Sequence, residues 1–217
     1  MVVIIASIER RYSRLASIKN WLNNDNVLVR LITLWLICAL LFTFSWTVSY
    51  YLLPEGILRG KLLAGRLPIE TDRVITTFLR IFSFNLFVAC GLIVFANLFR
   101  MGDLPLGYLI VCSHSIIYAI LLGTNSFGIP APARFAPSLS TLLSRSGVFE
   151  ISAYIAIAAA TSRLVLWKQR SWKDFHTERV GSPKEWHLNA SEVIIIVLSV
   201  VLLAIGNLRE AAQIHQL

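Results

Sequence analysis

The residue best placed to do chemistry in this chain is Glu150, in Ser146-Gly147-Val148-Phe149-Glu150-Ile151-Ser152-Ala153, which opens an apolar run continuing to Leu166. A carboxylate at hydrocarbon depth is costly unless it is neutral, paired or wet, so it marks a functional or assembly site. His114 comes next, flanked by Ser113 and Ser115 in another apolar run. The three look like a base beside two hydroxyl nucleophiles, but neighbours on a helix point about 100° apart and cannot act on one another as a dyad. The expectation for His114 is a hydrogen bond to a backbone carbonyl or to Ser113. His176 and His187 have acids nearby but no HExxH or comparable ligand spacing, so no metal is assigned. Gly60-Lys61 lacks the rest of a phosphate loop. Cys38, Cys90 and Cys112 lie in separate apolar runs without a CxxC, and read as small hydrophobes. With no assembled nucleophile, base and metal, the chain is expected to be no enzyme and to carry no cofactor.

The elements that must position these residues are membrane helices. Hydrophobic residues make up 56% of the 217 and charged residues 15%, respectively above and below the usual shares of about 45–50% and 25% in soluble domains. The net charge of +8 would suggest nucleic acid in a soluble protein. Here Lys and Arg gather beside apolar runs, where lipid headgroups and topology account for them, so membrane lipid is the expected partner and nucleic acid is not. The apolar Met1 to Ser7 precedes the basic cluster, which argues against a secretory signal peptide.

In chain order, Ile4, Ile8, Tyr12, Leu15, Ile18 and Leu22 recur at helical spacing, predicting an amphipathic interfacial helix and turn over 1–26. A membrane domain follows over 31–208, with five spans at about 31–53, 81–99, 106–125, 147–167 and 193–208. The fold class is therefore an all-α integral membrane protein of about five transmembrane helices preceded by that interfacial helix. Glu55 to Arg80 mixes leucines with basic residues and reads as an interfacial connection. Pro130, Pro132 and Pro137 precede a short helix, partly re-entrant, over Ser138 to Ser144. The polar stretch Leu166 to Ser191 reads as a connection near headgroups. Ser152, Ala156 and Ala160 repeat every fourth position, the spacing of a close helix-packing face, so the fourth span should be the most buried. The positive-inside bias puts the N terminus in the cytoplasm by a small margin, against a basic first connection.

Alternating spans bring Asn85, Asn125 and Glu150 within about a turn, roughly 5 Å, of one membrane face, with His114 a turn or two deeper. These four form the expected polar intramembrane cluster. Its preferred reading is a hydrogen-bonded clasp that fixes helix packing. The alternative is a seat for a partner, a substrate or a proton. Arg163, roughly 20 Å along the helix from Glu150, cannot pair with it and is expected at inner-leaflet headgroups.

Three places carry a family resemblance: Phe82-Ser83-Phe84-Asn85, the glycines Gly91 and Gly107 of the following helix pair, and Gly147-Val148-Phe149-Glu150-Ile151-Ser152-Ala153. The last looks like the His-Gly-Val-x-Glu-Leu-Pro-Ala signature of the stage II sporulation protein M family, and from about Leu31 to Leu208 the chain resembles these small multi-span bacterial and archaeal membrane proteins. Ser146 stands where that family usually has His, and Ser152 where it usually has Pro. The resemblance implies a bacterial inner-membrane scaffold or permease-like subunit and supplies no catalytic residues. Its expected partners are other membrane subunits, with an envelope hydrolase for the scaffold or an ATPase for the permease.

Overall fold

A computed structural model of the chain describes residues 17–61, 73–127, 131–171 and 174–215. Residues 17–22 are helical; the rest of the expected interfacial helix lies outside the described residues. Five helical spans follow. They are α1 (Val27–Leu52), a second span of α2 (Val74–Ser83), a π-helical segment (Phe84–Cys90) and α3 (Gly91–Asn97), then α4 (Leu106–Gly123), α6 (Gly147–Thr161) and α7 (Ala190–Ile214), with the short α5 (Leu139–Ser144) before α6. Four spans are long and apolar enough to cross a bilayer, and the fifth, α6, is a shorter apolar helix. The protein is thus an all-α membrane bundle.

The ends alternate between two faces. On one, Arg30 near the start of α1 meets Glu192 near the start of α7, Asn97 at the end of α3 meets Thr161 at the end of α6, and Tyr108 near the start of α4 donates to the Leu22 carbonyl. On the other, Ser49 near the end of α1 reaches the Ala119 carbonyl of α4, Trp46 donates to the Phe135 carbonyl, and Gln213 of α7 donates to the Ser144 carbonyl.

On the first face sits a small sheet of order β2-β1-β3-β4, made of β1 (Phe99–Met101), β2 (Leu104–Pro105), β3 (Trp167–Ser171) and β4 (Asp174–Arg179). β1 follows α3 and β3 follows α6, both helices that arrive at this face, so the two strands leave in the same direction and pair parallel, Phe99 opposite Trp167 and Met101 opposite Gln169. Part of the stretch expected to be a plain connection is therefore a strand ribbon.

Span limits differ from expectation for local reasons. The second span begins at Val74, seven residues before Ile81, because Arg80 lies within its last α-helical turn. The fourth ends at Thr161 rather than Trp167, and at about 1.5 Å per residue its 15 residues reach roughly 22 Å, short of a bilayer core. It does not need to reach further, because residues 153–162 are all buried and protein rather than lipid surrounds it. The fifth is longer than expected, 25 residues, since Asn189 and Glu192 form a capping box at its start and its last turns continue through Asn207 and Glu210. The short α5 has no buried residue: Leu139 and Leu143 are exposed, while Leu142 packs against the cluster of Phe42, Trp46, Ala119 and Leu122 at the second-face end of the bundle.

The core runs through the bundle centre, where Leu34, Ile93, Val111, Ile155, Ala158 and Leu203 are at most 1% exposed. Ala156 and Ala160 pack with Val27 of α1 and Ile195 of α7, while Ser152 accepts a hydrogen bond from Trp35 Nε1. Glycine sets the closest approach: a Cβ at Gly123 would stand 2.8 Å from Tyr50 N and 3.0 Å from the Trp46 carbonyl of α1.

Candidate polar site between the sixth and seventh helices

Glu150 enters the bundle because α6 starts at Gly147. Ser146 precedes it, its carbonyl accepting from the Phe149 and Glu150 amides, and Gly147 has no side chain where a Cβ would overlap the Tyr118 ring and hydroxyl. That turn of α6 rests on α7 at Gly206, whose missing Cβ would lie 3.0 Å from Phe149 Cβ and 3.6 Å from Glu150 Cγ. One turn further along α7, Glu210 brings its carboxyl within hydrogen-bonding reach of the Glu150 carboxyl. Part of Glu150 remains open at the bundle surface, yet its Oε1 is sealed and unpartnered among the described residues.

The surroundings are aromatic and amide. Tyr118 of α4 and Tyr154 of α6 both lie within electrostatic range of the two carboxyls. His114 donates from Nδ1 to the Ile110 carbonyl at 2.9 Å and sets its ring edge-on to Tyr154 at 5.6 Å, so the carbonyl reading for it holds. Asn85 sits in the π-helical segment, where the wider turn departs from α-helical register, and donates from Nδ2 to Asn207 Oδ1 on α7 at 3.0 Å. Asn207 is fully buried, and its own Nδ2 has no partner among the described residues.

The expected grouping is therefore redistributed. Asn85 pairs with Asn207, eleven residues into a span that starts earlier than expected, rather than with Asn125 or Glu150. Asn125 caps the second face, where its φ of 49° turns the chain after α4 and its amide binds Glu55 Oε1 and the Ala131 carbonyl. Glu150 meets Glu210. Sequence reading missed Asn207, at the very end of the expected last span, and Glu210, just beyond it; their spacing of three, which places them on one helix face, was the signal available.

The opposite face carries a second polar constellation. Arg30, 1% exposed, donates from Nη2 to Glu192 Oε1 at 2.6 Å, from Nε to the Ala159 carbonyl, and from Nη1 to the Asn24 and Asp25 carbonyls. Asn97 donates to the Ala158 carbonyl and to Thr161 Oγ1, and Arg100 to the Ser162 carbonyl. The last carbonyls of α6, which lack intrahelical partners, are thus met by an amide and two guanidiniums that also oppose the negative end of the helix dipole. Arg134 does the same on the second face for the Ser49, Leu53 and Gly123 carbonyls, and Arg59 for that of Asn125. This corrects the assignment of the basic residues to headgroups alone: several hold helix ends. Arg163 pairs with Asp25.

Asp103 in the β1–β2 turn lies between Lys19 and Lys168, which hold its carboxyl below its ordinary value. The three cysteines are free, but they are not all solitary, since Cys38 and Cys112 bring their sulfurs to 3.8 Å across α1 and α4. Among the described residues no group of three His, Cys, Asp or Glu could hold a metal ion. Compared with protein-family models, with curated proteins and with solved structures, the chain matches none.

Proposed function

We propose that the chain is a non-enzymatic membrane subunit that anchors or organises a larger complex, with its N terminus in the cytoplasm of a bacterial cell. The observation that carries this reading is the locking of helix ends. Arg30, Asn97 and Arg100 join α1, α3 and β1 to the end of α6, and Arg134 joins the ends of α1 and α4. A bundle tied at both faces suits a fixed platform better than a moving gate. The β-sheet on the first face supports the reading, because Arg170, His176, Glu178 and Arg179 present mixed charge to the aqueous side there. The resemblance to stage II sporulation protein M points the same way, with an envelope hydrolase as the partner class it implies.

A permease-like subunit working with a separate ATPase is the second reading, favoured by the intramembrane carboxyl pair. Transport needs a polar path onward from that pair, whereas Leu34, Ile93, Val111, Ile155 and Leu203 close the middle of the bundle.

Purification from native membranes in mild detergent, with identification of the co-purifying chains, tests both. Retention of an envelope hydrolase or another membrane subunit is expected. An ATPase would shift the assignment to the permease, and a chain that always isolates alone would remove the scaffold reading.

A further inference from the structure

Two carboxyls facing each other inside a helix bundle raise a question that the scaffold reading does not answer. Among the described residues neither Glu150 nor Glu210 has a cation within ion-pair distance. Arg145, just before α6, lies over the Phe135 ring at 3.9 Å, and Arg209, next to Glu210 in the chain, over the Phe149 ring at 5.6 Å. The titratable and charged groups around the pair are Tyr118 on α4 and Tyr154 on α6, both in electrostatic range of it, His114 edge-on to Tyr154, Cys90 of the π-helical segment acting on Tyr154, and Arg145 acting on Tyr118. Arg145 is the cation among them, and it makes no ion pair with either carboxyl among the described residues. Two like charges at this separation in a water-poor site repel strongly, and neighbouring carboxylates elsewhere resolve the conflict by sharing a proton.

Two further features point to a ligand and not merely to a pair of acids. Glu150 Oε1 is sealed and unpartnered, an acceptor with nothing donated to it. Asn207 is fully buried on the α7 face that carries Glu210, beside the Gly206 contact with Glu150, and its Nδ2 is an unmatched donor. An unmet acceptor on α6 and an unmet donor on α7 are each costly in a buried site. Glu150 stands in the first turn of α6, so the site lies within about one turn of the face where that helix begins.

We propose that Glu150 and Glu210 form a proton-binding site: the pair holds one proton, taken up on a carboxylate oxygen from the face where α6 begins and released to it, and this proton joins α6 to α7. Release leaves two carboxylates facing each other across the Gly206 contact and pushes the helices apart there. The device is independent of which partner the bundle anchors.

Infrared spectroscopy of the purified protein in lipid nanodiscs at pH 7, in choline chloride, tests it. The wild type should show a protonated carboxylic acid C=O band that shifts in D2O. Glu150→Gln/Glu210→Gln should abolish it, and each single substitution should shift its frequency, because the amide replaces one partner of the shared proton while the remaining carboxyl stays buried. Absence of the band in the wild type would overturn the proposal whether or not either variant folds. A band that survives in the double variant, or is shifted by only one of the single substitutions, would also overturn it, the first placing the proton elsewhere and the second on a single residue. Loss of the wild-type band when NaCl replaces choline chloride would assign the site to an alkali cation instead. Partner retention by a well-folded Glu150→Gln protein is read separately, so failure of the scaffold reading and failure of the proton site are distinguishable.

Discussion

Arg30 shows how one side chain can serve two helices. Its guanidinium faces Glu192 and meets carbonyls at the end of α6 and in the turn before α1, so four of its five N–H donors are satisfied inside the protein. Removing one member of a buried pair strands the other charge, which typically costs about 3–5 kcal/mol. Glu192→Leu should therefore lower the unfolding midpoint in detergent strongly, and Arg30→Met/Glu192→Leu should recover part of the loss but not all, because the Asn24 and Asp25 carbonyls lose the Arg30 donor and the Ala159 carbonyl keeps only Ser162 Oγ. Full recovery in the double variant would mean that the carbonyl contacts contribute nothing. Asp103 makes a weaker prediction with a defined sign. Its folded pKa is depressed by Lys19 and Lys168, so its contribution is present above the ordinary value of 3.8 and is lost as pH falls through the folded pKa. The stability difference between wild type and Asp103→Asn, small at pH 7 as exposed pairs are, should shrink toward zero below pH 3; a difference that grows on acidification would contradict the assignment.

At the scale of elements, α6 is short because its environment permits it. Buried from Ala153 to Ser162 and capped by neighbours, it needs no lipid match. The expected small-residue face is only part of a wall of small and β-branched residues, since Ile155, Ile157, Ala158 and Ala159 are buried as well as Ala156 and Ala160. Leucine at Ala156 or Ala160 should overpack the contact with Val27 and Ile195 by about 1–3 kcal/mol. Glycine positions give a sharper contrast. Gly123→Ala would drive a methyl into the α1 backbone at Tyr50, whereas Gly91→Ala meets nothing within 4 Å and gains roughly 0.5–1 kcal/mol of helix preference. Thermal unfolding of the two variants should move in opposite directions; equal losses would show that the α1–α4 crossing is not as close as described.

For the whole molecule, odd span number places residues 17–26, the β-sheet and the Pro183–Glu185 turn on one side, and residues 53–61 and 131–138 on the other. With the native cysteines replaced by alanine, Lys184→Cys should react with an impermeant maleimide from one side of sealed vesicles and Ala133→Cys from the other; labelling of both from the same side would remove a span. Composition and run length sufficed to read a helical membrane bundle, and the isolated carboxylate in an apolar run sufficed to single out Glu150, because the cost of charge in hydrocarbon depends on the residue and its immediate neighbours. The interfacial helix over 1–16 falls outside the described residues. What the polar side chains meet was not legible: Asn85 with Asn207, Glu150 with Glu210, Asn125 with Glu55 and Arg30 with Glu192 are each set by the depth and rotation at which distant helices pack. The strand pairing of Phe99 with Trp167 depends likewise on two separate helices delivering their ends to one face. Local sequence determines which segments leave water, whereas the choice of partner inside is a property of the three-dimensional arrangement, since it is made between residues as many as 162 positions apart.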